Sequence, residues 1–351
     1  MRSIIQRVAT GPQLSQNLSL AEARFGMSAI LAGEVDEVQA AIFLIALRMK
    51  RETDDENKGI MEAVRARTDR AVAPVPDVVD LADPYDGYNR TLTPTPFLPA
   101  VLAAAGAPAF SHGVRVVGPK YGATHATVLA AAGVATDLDS TAAAGRLGDV
   151  GWAYVDQSRF CQPLHDLIAF RTRIVKRPAV TTVEVMAGPI VGRERTHLVT
   201  GYVHKPYPRI YAMLARHAGY CSALMMRGVE GGVIPSLRQP GRLFRYVEDG
   251  ETLGHDLNPA DLGIHRTVRA LPFKDERENG EKDIAKSSAL SAELGLAALA
   301  GEAGAMRDGL VYAGAGVLWH LGRVDTMAAG AERIRGVLDS GAAKAHFEAA
   351  R

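Results

Sequence analysis

The feature that most constrains the fold is an alternation of short apolar segments and Ala-rich helical segments in the middle of the chain. AFSHGVRVV (109–117) has the β-branched and aromatic content of a strand, and THATVLAAAG (124–133) predicts the helix that follows it. Further strands are predicted in TTVEVMAG (181–188), HLVTGYV (197–203) and SALMMRG (222–228), with a helix in RIYAMLARHAG (209–219). Alternating strands and helices form βαβ units, so we predict an α/β protein with a mostly parallel central sheet.

The N-terminal region carries three helix-start signals. Ser19 with Glu22, and Thr53 with Glu56, have the spacing of a capping box, in which each residue's side chain bonds the other's backbone N–H. Asp36 precedes a third segment, VQAAIFLIALRMK, which is apolar on most sides and is therefore predicted to be buried between other helices. We predict a small all-helical subdomain over residues 1–70, joined by a helical segment near 160–180, and an α/β subdomain over 71–351.

Composition narrows the class of protein but not its ligand. The 351 residues are 47% hydrophobic, as expected of a globular chain with a large core, and the formal charge of +1 neither favours nor excludes a nucleic-acid partner. Cys161 and Cys221 lack the spacing of a metal site and are predicted to be two buried thiols. Without a long apolar run or a signal-peptide pattern, the chain is expected to be cytoplasmic and away from membranes. The charge run KDERENGEKD (274–283) predicts a solvated loop.

A candidate anion site lies in HGVRVVGPKYGATH (112–125), where a predicted strand runs into a loop with a lysine between glycines. Lys120 can act as a point charge on a phosphate, helped by the N-terminus of the next helix, or it can be a solvated loop lysine. His112 either positions a substrate or packs at the end of the strand. Thr124 is expected mainly to cap the following helix.

A second candidate loop is DPYDGYNRTLTPTP (83–96), which follows a predicted strand. Asp86, Asn89 and Arg90 lie here, at the end of a strand where open α/β sheets bind their ligands. The alternative is that Asp86 and Gly87 form only a turn, which their composition permits.

Four segments in the same order resemble anthranilate phosphoribosyltransferases. LAEARFGMSAILAGEVDEVQAAIFLIALRMKRET is similar to their N-terminal helices, SHGVRVVGPKYGA to their HGNRSVSSKSGSAD segment, and EVMAGPI to FNLLGPL. The tail from residue 301 onward resembles their C-terminal helices. The resemblance implies the fold of the third glycosyltransferase family, with a cleft between the two subdomains. It also implies transfer of a phosphoribosyl group from phosphoribosyl pyrophosphate, and a homodimer joined through the N-terminal helices.

The same resemblance assigns site residues by position. The donor phosphates would be held by Asp86, Gly87, Asn89, Arg90, Thr93, Thr95, Lys120, Gly122 and Thr124. The acceptor would be held by His112, Gly113 and Arg171.

Several expected residues are changed. DPYDG stands where the enzymes carry the glycine-rich GTGGD, so two glycines that let backbone N–H groups approach a phosphate are lost. Val233 and Ile234 replace the acidic pair that carries magnesium, and neither can ligate a hard cation. Glu184 and Glu230 are the nearest carboxylates that can substitute, although Glu184, in a predicted strand, is expected to face solvent. A magnesium cofactor is therefore doubtful.

Three functions remain open on the sequence. One is a phosphoribosyltransferase-like enzyme, an enzyme of the glycosyltransferase class with an acceptor other than anthranilate. Another is a non-catalytic protein that binds single-stranded nucleic acid, as in a divergent bacterial branch that the chain also resembles. Basic residues for that role are Arg171, Arg173, Lys176 and Arg177, with Arg238, Arg242 and Arg245. A nucleoside phosphorylase, which shares the fold, ranks last because no matching pyrimidine-site pattern is found.

Overall fold

The computed structural model describes residues 1–11, 13–277 and 281–351, and it begins with four helices. These are Arg2–Val8 (α1), Leu20–Leu31 (α2), Glu37–Lys50 (α3) and Asp54–Arg65 (α4). The capping boxes predicted at Ser19 and Thr53 are both present, and the Asp36 side chain accepts from the backbone N–H groups that follow it. The predicted N-terminal helices are therefore confirmed.

The α/β region is built on a seven-stranded sheet. Its strands are Asp77–Ala82 (β2), Ala109–Gly113 (β3), Trp152–Asp156 (β4), Arg195–Tyr202 (β6), Ser222–Arg227 (β7), Gly241–Val247 (β8) and Leu253–Leu257 (β9), in the order β4-β3-β2-β6-β7-β8-β9. The first five strands of this order run parallel, and β8 and β9 add an antiparallel edge. Ala71–Val72 (β1) and Ile190–Val191 (β5) form a separate parallel pair. The predicted mostly parallel sheet is confirmed.

Helices cover both faces of the sheet. They are Leu98–Ala104 (α5), His125–Ala131 (α6), Ser140–Val150 (α7), Gln157–Phe160 (α8), Gln162–Ile174 (α9), Val180–Val183 (α10), Tyr207–His217 (α11), Ile284–Leu299 (α12), Ala305–His320 (α13), Met327–Asp339 (α14) and Ala342–Glu348 (α15). Alternate residues of β7 enter different cores: Leu224 packs with the C-terminal helices, and Met225 with the N-terminal ones. Burial on both faces explains why the strands read as continuous apolar runs.

Two predicted strands differ from the structure. TTVEVMAG is not a strand: residues 180–183 form the short helix α10, and a 3₁₀ turn covers Glu184–Met186. The helical spacing brings Thr181 and Glu184 to the same side, where both contact Arg171 of α9. The strand predicted over 109–117 stops at Gly113, because its neighbour β4 also ends there, at Asp156.

Three smaller expectations can be compared with the structure. Cys161 is buried as predicted, but Cys221 is only half-buried. Within the described ranges, no helix has both the length and the apolar character needed to cross a membrane. The predicted solvated loop at 274–283 lies partly outside the described residues, because 278–280 are not among them.

Candidate functional site

A cleft opens at the carboxyl ends of β2 and β6, between α3 of the helical region and the sheet. Its base is formed by Ala82 and Thr200, and two cations, Lys120 and Arg177, lie on its walls. The other lining residues include Arg48, Tyr85, Asp86, Thr181, Tyr202, His204, Tyr207, Tyr211, Glu230 and Gly231. An outer cavity shares part of this lining and continues past Met49, Arg51 and Lys176. The cleft is thus where parallel sheets of this kind bind their ligands.

Lys120 is already paired with groups of the protein. Its ammonium lies 3.1 Å from Asp86 Oδ1 and donates to the carbonyl oxygen of Glu230, also at 3.1 Å. Arg177 pairs with the other oxygen of Asp86. Asp86 is buried, whereas the Arg177 side chain is 47% exposed. One carboxylate therefore holds two cations that line the cleft.

Two glycines that were assigned to phosphate binding allow two loops to pair. Tyr88 N donates to the Ala123 carbonyl at 2.9 Å, and Ala123 N donates to the Tyr88 carbonyl at 2.7 Å. A Cβ added to Gly122 would lie 2.5 Å from the Tyr88 backbone nitrogen, and one added to Gly87 would lie 2.5 Å from the Ala123 oxygen. Glycine is needed at both positions for this approach, which places Lys120 beside Asp86.

The Glu230 side chain contacts the loop that follows Tyr88. Its carboxylate accepts from the backbone N–H of Asn89 at 3.2 Å, from that of Arg90 at 3.1 Å, and from the Thr91 hydroxyl at 2.8 Å. The Asn89 side chain meanwhile donates to the Lys120 carbonyl oxygen at 3.2 Å. The Arg90 side chain is exposed. The donors predicted for a phosphate in this loop thus contact a carboxylate of the chain itself.

His112 is packed rather than open to the cleft. Its side chain has no exposed surface, its Nε2 lies 2.9 Å from Asp80 Oδ1, and its Nδ1 contacts the Tyr85 hydroxyl. Tyr220 donates to the other oxygen of Asp80 at 2.6 Å. Burial, reinforced by nearby carboxylates, raises the pKa of Tyr85 well above its usual value, so its hydroxyl stays protonated. Both ring nitrogens of His112 are used inside the protein, which favours the packing alternative over contact with an acceptor.

The neighbouring residue Gly113 is also enclosed. A Cβ built on it would lie 3.6 Å from the hydroxyl of Tyr154 and from the ring of Tyr85. As with His112, its surroundings are side chains of the core.

The two threonines of TPTP are buried behind the cleft. Thr93 and Thr95 bond each other at 2.9 Å, and Thr95 also contacts the Tyr88 hydroxyl at 3.2 Å. Tyr88 in turn donates to Asp83 at 2.6 Å. These hydroxyls form an internal network and do not line the cleft.

Thr124 caps α6, as the sequence predicts. It accepts from the N–H of Thr127 and forms a reciprocal capping box with that residue. Its hydroxyl is also within 3.2 Å of the Arg115 carbonyl oxygen.

Arg171 and Glu184 form a buried, two-pronged ion pair. Arg171 Nη1 donates to Glu184 Oε2 at 2.6 Å, and Nη2 donates to Oε1 at 2.8 Å. Burial disfavours the guanidinium charge, but Glu184 more than compensates, so the pKa of Arg171 lies above its usual value. The expectation that Glu184 faces solvent is wrong. Both carboxylate oxygens of Glu184 accept from Arg171, so the two side chains bind each other rather than a ligand.

The carboxylates suggested for magnesium do not fit a metal site in this structure. Glu184 is saturated by Arg171, and Glu230 by the loop after Tyr88. Val233, at the position of the expected acidic pair, is buried and donates its N–H to Asp83 at 3.0 Å. Among the described residues, no three His, Cys, Asp or Glu side chains are grouped so as to hold a metal ion.

The predicted basic surface is divided among separate partners. Arg173 pairs with Glu37, Arg177 with Asp86, and Arg171 with Glu184. Arg242 and Arg245 lie on β8 and cover the rings of Phe244 and Trp319. Only Lys176 and Arg177 of the first group line the cleft cavities.

Sequence reasoning missed the aromatic wall of the cleft. Tyr207 and Tyr211 are one helical turn apart on α11, with ring centroids 5.4 Å apart, and His204 precedes them. Burial raises the pKa of Tyr211 above its usual value. A usable signal existed, since an i, i+4 aromatic pair directly after a strand that ends in the cleft must lie near its mouth.

Comparison with known proteins agrees with this architecture. Residues 2–68 match the glycosyl transferase family model of the helical bundle domain, and residues 89–344 match the model of the family's a/b domain. The anthranilate phosphoribosyltransferase of Methylobacterium radiotolerans is 29% identical, over 98% of this chain and 93% of the relative. That of Methanothermobacter thermautotrophicus is 30% identical, over 93% of this chain and 92% of the relative.

Solved structures show the same fold. The anthranilate phosphoribosyltransferase of Thermus thermophilus superposes with a TM-score of 0.76 at 21% identity, covering 99% of this chain and 97% of its own. The Saccharomyces cerevisiae enzyme in complex with PRPP and Mg gives a TM-score of 0.77 at 16% identity, covering 99% of this chain and 95% of its own. Since the two family models together match most of the sequence, the chain belongs to glycosyl transferase family 3.

Proposed function

We propose that this protein binds a phosphorylated ligand in the cleft and acts as a phosphoribosyltransferase-like protein with an acceptor other than anthranilate. The observation that carries the proposal is the convergence of Lys120 and Arg177 on one point of the cleft wall. Two cations that converge in this way can both contact the oxygens of a phosphate or diphosphate. The Saccharomyces cerevisiae enzyme of this fold is in complex with PRPP and Mg, which supports a donor of that class.

In this proposal the protein contributes positioning and electrostatics. Lys120 and Arg177 hold the donor's phosphates. The backbone N–H groups of Asn89 and Arg90 contact the side chain of Glu230, the residue whose carbonyl oxygen Lys120 binds. Such groups stabilise a transferring centre without covalent chemistry of their own. Magnesium, if it accompanies the donor, would find few free carboxylates here, so we derive no step through it.

A change of acceptor follows from Arg171 and His112. The resemblance assigns both to acceptor binding, yet each is committed to a buried partner, Glu184 and Asp80 respectively. Planar ligands would instead meet the wall formed by Tyr207 and Tyr211. Complementation of a tryptophan auxotroph tests this directly. Growth without tryptophan of a strain that carries the gene for this protein would refute the proposed change of acceptor.

Calorimetry tests the donor site. Phosphoribosyl pyrophosphate with magnesium is titrated into the wild type, into Lys120→Ala and into Lys205→Ala, an exposed lysine outside the inner cleft, as the control. We expect the wild type and Lys205→Ala to bind alike. Lys120→Ala should bind at least about tenfold more weakly, because a charge-assisted bond of about 1.5–3 kcal/mol is lost. Absence of heat with the wild type at millimolar donor would refute the proposal.

A single-stranded nucleic acid is the second candidate ligand. The cleft cavities are lined by four exposed cations, together with Tyr207: Arg48, Arg51, Lys176 and Arg177. Sites for single-stranded nucleic acid typically combine cations along the phosphate backbone with aromatic rings that stack on the bases. A gel shift at low salt, repeated with added salt, should show retention that falls steeply. Lack of retention at low salt would exclude this candidate.

We also propose that two copies associate through α3. Val38, Ile42 and Met49 are 65%, 40% and 78% exposed, and their spacing places them along one side of the helix. Ile45 lies half-buried on the same side. An exposed apolar stripe on a helix is typical of a surface that another helix covers. The family resemblance implies that the partner is a second copy of the chain, joined through the N-terminal helices.

A further inference from the structure

We infer that Glu230 is an internal competitor of the ligand: its carboxylate fills an anion site formed by the N–H groups of Asn89 and Arg90 and the hydroxyl of Thr91. A phosphate or diphosphate group must displace this carboxylate to bind there. The inference rests on the proposed function, since it concerns the same cleft. It adds a residue, Thr91, that the sequence comparison did not assign, and it gives Glu230 a role other than metal binding.

The geometry is that of a bound anion. Three donors from consecutive residues converge on the two oxygens of one carboxylate, at 3.2, 3.1 and 2.8 Å. These are normal lengths for hydrogen bonds to a charged acceptor. A phosphoryl group offers the same kind of oxygen acceptors, so one set of donors can serve either anion.

The position of Glu230 supports a role for its side chain. Its backbone has φ 54° and ψ 14°, in the left-handed region that non-glycine residues seldom adopt, with Gly231 next to it. The strain of this conformation is tolerated where other contacts compensate. Here those contacts include the bond from Lys120 to the Glu230 carbonyl oxygen and the bond from Gly232 N to the Val229 carbonyl oxygen at 3.0 Å, which do not involve the carboxylate.

The side chain can leave without movement of the turn that carries it. A Cβ added to Gly228 would lie 1.6 Å from the Gly232 carbonyl oxygen, and one added to Gly232 would lie 1.7 Å from the Tyr88 hydroxyl. The turn is therefore packed closely against its neighbours. The Glu230 side chain lines the cleft and is partly exposed, so rotation about its own bonds takes the carboxylate into solvent. Lys120 can then keep its bond to the Glu230 carbonyl while the anion site becomes open.

Calorimetric titration with inorganic pyrophosphate at constant ionic strength tests the inference. Glu230→Gln removes the negative charge and keeps the size, and Glu230→Asp keeps the charge on a side chain too short to reach all three donors. The control is Glu248→Gln, an exposed glutamate with a similar left-handed backbone at φ 51°. We expect Glu230→Gln to bind pyrophosphate about tenfold more tightly than the wild type, or about 1.4 kcal/mol, with Glu230→Asp also tighter and Glu248→Gln unchanged.

Two further variants locate the effect. Thr91→Val in the Glu230→Gln background should lose most of the gained affinity, and Lys120→Ala should weaken binding in every background. Equal affinity of the wild type, Glu230→Gln and Glu230→Asp, all sensitive to Lys120→Ala, overturns the inference but leaves the proposed anion site. Absence of binding in every folded variant overturns both. If Glu230→Gln does not fold, Glu230→Asp alone decides: tighter binding supports the inference, and unchanged or weaker binding refutes it.

Discussion

The ion pair between Arg171 and Glu184 provides a sharp test of which residues are structural and which bind ligand. Their side chains are 4% and 2% exposed and share two hydrogen bonds. Removing one partner leaves an uncompensated buried charge, which costs about 3–5 kcal/mol. We therefore expect Glu184→Ala to lower the free energy of unfolding by about that amount. Replacing both residues with methionine should restore most of the loss, because no buried charge then remains.

The free energy of unfolding is measured by urea titration, followed by far-ultraviolet circular dichroism. The matched control is Arg173→Ala, since the Arg173–Glu37 pair is 61% and 62% exposed and should contribute no more than about 1 kcal/mol. A Glu184→Ala variant as stable as this control would refute the reasoning. Arg171 would then be free to act on an acceptor.

Two other predictions follow from the described structure. Burial lowers the pKa of His320 to about 3, and the nearby Arg245 lowers it further. Burial also lowers the pKa of His197 to about 4, where Asp77 raises the pKa and Arg195 and Arg323 lower it. Both histidines bond Ser222 at 2.8 Å. As the pH drops below about 6.5, these histidines become protonated in the unfolded chain before they do in the folded one. The free energy of unfolding should therefore fall, by up to about 1.4 kcal/mol per histidine per pH unit. Urea titrations across this range should give a shallower decline for His320→Asn, and parallel curves would contradict the assignment. For the proposed association through α3, Ile42→Glu should give a monomer by light scattering where the wild type gives a dimer, and a monomeric wild type would exclude that interface.

Local signals explain which parts of the fold the sequence predicts. The capping boxes at Ser19 and Thr53 join residues only three positions apart, so the sequence carries all the information needed. The strand predicted in TTVEVMAG failed for the opposite reason. Its apolar and polar residues alternate, but Glu184 pairs with Arg171, thirteen positions earlier, and the segment is helical in the structure.

In the candidate site, too, local features were predictable from the sequence and long-range contacts were not. The placement of Lys120 beside the DPYDG loop was predictable, because both follow parallel strands and the carboxyl ends of such strands meet at one edge. The partners were not predictable. Lys120 meets the Glu230 backbone 110 positions away, and Asp86 meets Arg177 at a separation of 91. No local pattern records such pairs, so the sequence predicted Lys120, Asn89 and Arg90 as site residues but not the groups that they contact.

Charge balance then determines what kind of ligand the cleft can accept. Asp86 pairs with both Lys120 and Arg177 and offsets only one of their two positive charges, and Glu230 satisfies the donors of residues 89–91. A single phosphate can contact either the two cations beside Asp86 or the donors of residues 89–91 once Glu230 has turned away. A diphosphate has a phosphoryl group for each, and only Glu230 turns into solvent, because Asp86 is buried. Pyrophosphate should therefore bind much more tightly than inorganic phosphate when both are titrated by calorimetry at constant ionic strength. Equal affinities for the two anions would mean that the two cations and the donors of residues 89–91 do not bind one ligand together.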